Sequence, residues 1–157
     1  VIQSKTAKLF EASCRLAAVL AGSSPEVEAA CAEFGSAIGT AFQIIDDVLD
    51  YDGEVAAIGK NVGDDLREGK ATLPLIFAMQ KATPQDAAII RHAIETGGLE
   101  ELPRISALVH STGALAATRA VAAQAAQRAA DALAALPDNP YRAALLDMAQ
   151  AAVARRV

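Results

Sequence analysis

Between Phe42 and Asp50 the chain reads Phe42-Gln43-Ile44-Ile45-Asp46-Asp47-Val48-Leu49-Asp50. At about 100° per residue of helix, Gln43, Asp46, Asp47 and Asp50 fall within an arc of about 100°, and Phe42, Ile45, Val48 and Leu49 take the opposite side. Oxygen-bearing side chains on one face are a donor set for a hard divalent cation. Mg²⁺ characteristically takes one or two protein carboxylates and completes its shell with water and substrate phosphate oxygens, which suits an open stripe better than a closed cage. A solvated acidic face is the other use of the same letters. The stripe opposes the helix that carries it: Asp is a poor helix former, like charges at i,i+3 or i,i+4 cost roughly 0.2–0.5 kcal/mol per pair, and acids near a C-terminus oppose the macrodipole. Something else must compensate. The same face continues upward through Gly39, Ser36 and Ala32, small residues that leave room for a groove above the acids.

A second stretch follows, Gly59-Lys60-Asn61-Val62-Gly63-Asp64-Asp65-Leu66-Arg67-Glu68-Gly69-Lys70. Its glycines permit close backbone approach to a ligand, and Lys60 and Lys70 are point charges suited to a diphosphate held beside a metal. Ordinary solubility is the alternative for any single lysine, and is the reading given to Lys8 and Lys81. Residues 46–70 hold eight acids against three bases, so their −5 equals the net charge of the whole chain. Other phosphate and metal motifs fail on the letters. Gly63 to Gly69 has one residue too many for a P-loop, and Ala71 stands where Ser or Thr is needed. An EF-hand frame on Gly53 puts Val48 at the first ligand position and Gly59 at the bidentate one. His92 and His110 lack zinc spacing and read as surface or helix-packing residues, and no G-x-S-x-G is present. Near the start, Lys5 and Thr6 head a helix on which Lys5 shares a face with Leu9, Ala12 and Leu16. That lysine either snorkels to solvent or points toward the same cavity as the acids.

The elements that must position these residues are helical. Leu9, Phe10, Leu16, Ala17 and Leu20 give the first segment, Val1 to Ala21, helical spacing, yet nothing before Ser4 resembles a cap, so the chain is expected to be a piece of something longer. Ser24-Pro25-Glu26 opens a helix running to about Tyr51, with Gly53 ending it. Residues 52–69 read as an extended loop, of a length that is usually functional or mobile. Thr72-Leu73-Pro74 starts a helix through Met79, and Thr83-Pro84-Gln85-Asp86 caps another that ends at Gly97-Gly98. Residues 100–112 form a short helix, Ala114 to Leu136 a long Ala-rich one, and Asn139-Pro140 opens the last.

Composition agrees. The 157 residues include 38 Ala and no Trp, with 53% hydrophobic and 4% aromatic content, which favours one all-helical domain and excludes a sandwich or barrel. An acidic chain has no broad basic face for nucleic acid. Cys14 and Cys31 suggest neither a disulfide framework nor a zinc site and read as small core residues in a reducing compartment. No run approaches the roughly 18 apolar residues of a membrane span and no signal peptide precedes the domain, so the cytoplasm is the expected location.

At the Lys5-Thr6 pair, the F-Q-x-x-D-D-x-x-D motif and the G-K-N-V-G-D-D-L-x-E-G-K-x-T-L-P stretch from Gly59 to Pro74, the sequence resembles the trans-type polyprenyl diphosphate synthases. The resemblance covers the whole chain and is nearest to their long-chain, octaprenyl-type bacterial group. It implies an all-α isoprenoid-synthase-type bundle around a central cavity, and Mg²⁺-dependent condensation of an allylic diphosphate with isopentenyl diphosphate in quinone side-chain biosynthesis. By the same resemblance Asp46, Asp47 and Asp50 are the second aspartate-rich motif, with Asp46 the direct Mg²⁺ ligand. Lys5 and Lys60, with Lys70, bind diphosphate, and Gln43 and Thr6 face the developing allylic cation. Arg155 and Arg156 help cover the site. The family's first aspartate-rich motif precedes the Lys-Thr pair and is absent here, so residues 1–157 are expected to be the C-terminal portion of the catalytic domain, inactive alone. The resemblance further implies a homodimer as the full-length protein, with product passed on to a membrane. A non-catalytic or regulatory subunit of a heteromeric prenyl synthase is the alternative, and the intact acids and G-K pairs argue against it.

Overall fold

A computed structural model of the chain describes residues 6–52 and 63–155. Among these the order of elements is α1 (Lys8–Leu20), α2 (Pro25–Leu49), α3 (Asp64–Arg67), α4 (Leu73–Lys81), α5 (Pro84–Thr96), α6 (Leu102–Ser111), α7 (Ala114–Ala132), a 3₁₀ turn (Leu133–Ala135) and α8 (Pro140–Ala154). No strand occurs among the described residues, as the composition requires. No helix among them is long and apolar enough to cross a membrane.

The helix starts follow local chemistry. Thr83 accepts the Asp86 N–H and Asn139 accepts the N–H groups of Tyr141 and Arg142, each with Pro in the first turn where its missing N–H costs nothing. Two expectations need adjustment. α4 continues past Met79 to Lys81. Within the segment read as extended loop, Asp64–Arg67 wind into one helical turn, α3, entered through Gly63 at φ 87°, a left-handed value that favours glycine.

The chain divides into two compact units. One takes in the described chain up to Ile45 together with Val121–Arg155, and the other takes in Asp46–Ala120. In the first, Phe34, Ala37 and Ile38 of α2 pack with Ala129, Leu133, Ala149 and Ala152, and Phe10 and Cys14 of α1 close the cluster. A further contact is made by alanines alone, Ala41 with Ala125 and Ala126, with Val153 against them. The alanines let helix backbones approach closely. In the second unit, Tyr51, Leu66, Leu75, Ile90, Ile105 and Val109 form a contiguous core that fastens the end of α2 and α3 onto α4, α5 and α6.

Candidate active site

The first unit brings the Lys-Thr pair's threonine to α2. Thr6 lies in a π-type turn just before α1, and its hydroxyl donates to Gln43 Oε1 at 2.8 Å across 37 residues of sequence. Two glycines make that approach possible. A Cβ on Gly35 would lie 2.5 Å from the Phe10 carbonyl oxygen, and one on Gly39 would lie 2.9 Å from Ala7 Cα, so α1 occupies the space that side chains there would fill. The groove expected along Gly39, Ser36 and Ala32 is therefore shorter than the spacing implied. Ala32 and Ser36, with Glu11, Arg15 and Glu28, line a cavity of about 510 Å³, while Gly39 is closed by Ala7 and Phe10. Phe42, beside Gln43 in the motif, has its ring 6.0 Å from that of Phe10 and carries the Arg155 guanidinium 4.5 Å from its centroid. Arg155 is thus tied to the motif by a cation–π contact.

The second unit gives the three aspartates different surroundings. Asp46 is half-buried, whereas Asp47 and Asp50 are 4% and 7% exposed. An open stripe of three equivalent carboxylates is not what the fold makes. Asp50 accepts the N–H of Asp65 at 3.2 Å, capping α3 from a distance of fifteen residues in sequence. Burial, and after it the nearby Asp65 carboxylate, push the Asp50 carboxyl up to about 6, against the lowering effect of the Asp65 and Asp64 N–H groups. Lys70 is engaged within the same segment: its ammonium lies 2.8 Å from Asp65 and 2.8 Å from Glu68, and these carboxylates hold it above the ordinary lysine range. Lys5, Lys60 and Arg156 lie outside the described residues, as does Gly53, the expected end of α2.

Among the described residues no three His, Cys, Asp or Glu side chains converge on a point that would hold a metal ion. A caged cation does not fit this donor set. An ion that arrives with a diphosphate does fit, because Mg²⁺ needs only one or two carboxylates when phosphate oxygens and water supply the rest. The half-buried Asp46 is the carboxylate of the three that retains solvent access. Two residues outside the motifs also reach this region: His110 donates from Nε2 to the Tyr51 carbonyl at 2.9 Å, and Arg119 meets Asp52 at 2.7 Å. No local spacing announces them, since one lies in a largely apolar helix and the other is one of two arginines in an alanine-rich helix.

The described residues are all-helical, with a Thr6–Gln43 contact in one unit and the buried or half-buried aspartates in the other. The chain belongs to the polyprenyl synthetase family, whose model matches residues 1–111. It is 49% identical over 156 residues to octaprenyl diphosphate synthase of Escherichia coli, covering 99% of this chain and 48% of that protein. It is 44% identical over 155 residues to the all-trans-nonaprenyl-diphosphate synthase (geranyl-diphosphate specific) of Rhodobacter capsulatus, covering 99% and 47%. Among solved structures, the polyprenyl synthase of Caulobacter crescentus, complexed with calcium and isoprenyl diphosphate, superposes with a TM-score of 0.90 at 44% identity, covering 99% of this chain and 48% of that one. The chain spans about half the length of the curated relatives it matches.

Proposed function

We propose that this chain is the C-terminal portion of a Mg²⁺-dependent trans-prenyltransferase that condenses an allylic diphosphate with isopentenyl diphosphate and releases diphosphate. The observation that carries the reading is the 2.8 Å Thr6–Gln43 hydrogen bond, which joins two motif residues far apart in sequence, with Asp46 three positions further along the same helix. Their chemistry is complementary. In this reading Gln43 Oε1, fixed by the Thr6 hydroxyl, and the Thr6 oxygen face the growing positive charge. Asp46 is the carboxylate that would hold the cation, and Asp50 maintains the turn behind it. Mg²⁺ bound there would offset charge growing on the departing diphosphate. Lys5 and Lys60 are assigned to the diphosphate by family resemblance. Lys70 serves the same role only if Asp65 and Glu68 release it. Passage of product to a membrane and assembly as a homodimer belong to the same proposal.

The test is turnover of farnesyl and isopentenyl diphosphates. In the full encoded protein, Asp46→Ala is expected to lower the rate by at least 10²-fold with an unchanged far-UV spectrum. Residues 1–157 alone are expected to show no turnover. An Asp46→Ala enzyme as fast as the parent refutes the assignment, and measurable turnover by residues 1–157 refutes the division of labour.

A further inference from the structure

The aspartate-bearing end of α2 is electrostatically unsupported from within its own helix. Its last turn contains no basic residue, and the helical hydrogen bonding stops within two residues of Leu49. Acids at this end also oppose the macrodipole. Left to itself such a turn frays. The chain instead leaves α2 through residues that are gripped from other helices of the same unit. The Tyr51 N–H bonds back to Val48 at 3.1 Å, and the Tyr51 carbonyl receives His110 Nε2 from α6 at 2.9 Å. The Asp52 carboxylate receives Arg119 from α7 at 2.7 Å, bringing a permanent cation close to the negative end of the helix. Asp50 takes the Gly63 N–H on its carbonyl at 3.3 Å and the Asp65 N–H on its carboxylate at 3.2 Å.

We infer that His110 and Arg119 are positioning residues that clamp the exit of α2 and so hold the turn carrying Asp46 in the geometry needed for a cation–diphosphate ligand. The link to Asp46 is direct backbone bonding, because the Asp50 N–H donates to the Asp46 carbonyl at 3.2 Å. Motion released at residues 51–52 therefore reaches Asp46 through one hydrogen bond. Neither residue touches the reacting atoms. His110 supplies a directed N–H, and Arg119 supplies charge and a forked donor, so the two removals should differ in kind. A neutral donor at position 110 should suffice, whereas position 119 needs a cation.

The inference rests on the proposed function for its ligand but not for its clamp, and the experiment separates them. The full encoded protein is compared with His110→Ala, His110→Gln, Arg119→Ala, Arg119→Lys and Asp46→Ala. Two readouts are used: hydrogen exchange of amides 46–52, and calorimetric titration with Mg²⁺ and inorganic pyrophosphate. His110→Ala and Arg119→Ala are expected to speed exchange at 46–52 about tenfold without altering α5, and to weaken the coupled Mg²⁺–pyrophosphate affinity about tenfold, as loss of an outer-shell support does. His110→Gln and Arg119→Lys should recover both to within about threefold. Unchanged exchange in both alanine variants overturns the clamp. Faster exchange with unchanged affinity, when Asp46→Ala abolishes binding, overturns its role in ligand geometry. If Asp46→Ala leaves binding intact, the proposed function fails while the exchange result still decides the clamp. Should His110→Ala not fold, Arg119→Ala, at a side chain 35% exposed, decides alone.

Discussion

Replacing Gly35 by Ala sets two effects of opposite sign against one another in a single methyl group. Ala is favoured over Gly in a helix interior by about 1 kcal/mol, so propensity alone makes Gly35→Ala stabilising. The structure reverses the sign. The added Cβ would lie 2.5 Å from the Phe10 carbonyl oxygen and 2.8 Å from both Phe10 C and Glu11 Cα, where ordinary contact begins at 3.4 Å. The obstacle is backbone, which has no rotamer to escape into, so α1 must withdraw by about 0.9 Å. A radial gap of about 0.5–1 Å forfeits a quarter to a half of the dispersion well for the contacts it opens, and small-to-large changes in packed interiors cost about 1–3 kcal/mol. With backbone as the obstruction, the cost belongs at the top of that range. A net loss of about 2 kcal/mol remains after the propensity gain. Withdrawal of α1 also stretches the 2.8 Å Thr6–Gln43 bond beyond useful length, so turnover should fall together with stability. Gly39→Ala, obstructed by Ala7 Cα at 2.9 Å and Phe10 Cβ at 3.0 Å, should follow at smaller cost. Urea and thermal denaturation of the full encoded protein, followed by far-UV circular dichroism, measure this. A Gly35→Ala protein as stable as the parent would show that these glycines do not set the α1–α2 separation.

Asp50 should make the metal-free protein less stable as pH rises. Its folded pKa, about 6, lies above the ordinary 3.8, so its favourable contribution is complete below about pH 4 and is lost as pH climbs through 6. The loss is about 3 kcal/mol at most by pH 7. Asp50→Asn should therefore gain stability relative to the parent between pH 4 and 7 in urea titrations, and a difference independent of pH would contradict the burial argument. Tyr51→Phe should change unfolding free energy by less than about 0.5 kcal/mol, because the buried Tyr51 Oη and its neighbour Thr72 Oγ1 close no hydrogen bond of good geometry. A loss above about 1 kcal/mol would reveal a partner for that hydroxyl. Asn139→Ala removes the acceptor of two α8 N–H groups, at 3.0 and 2.9 Å, and should cost about 1 kcal/mol by denaturation.

Much of the helical order was legible because helix boundaries are written in short-range chemistry. Thr83 and Asn139 cap with atoms two or three residues away, and proline follows each at once. α3 was not legible. Four residues cannot sustain a helix alone, and Asp64–Arg67 depend on the carboxylate of Asp50 and on Leu66 sinking into the core beside Tyr51. The grouping of Gln43 with the aspartates followed from helical period. Their division into a half-buried Asp46 and the buried pair Asp47 and Asp50 did not, since burial depends on neighbours remote in sequence.

The sequence by itself determined an all-helical chain, the starts of its capped helices, and the family marked by Thr6, Gln43, Asp46 and the glycine-lysine stretch. These rest on residue types at fixed local spacing. Tertiary structure alone decided that Gly39 serves helix contact rather than a groove, that Lys70 is paired with Asp65 and Glu68, and that His110 and Arg119 hold the exit of α2. The reason is physical. A side chain's type sets what it can bond, but which partner it meets is settled by helices that come together only when the chain has buried its apolar surface.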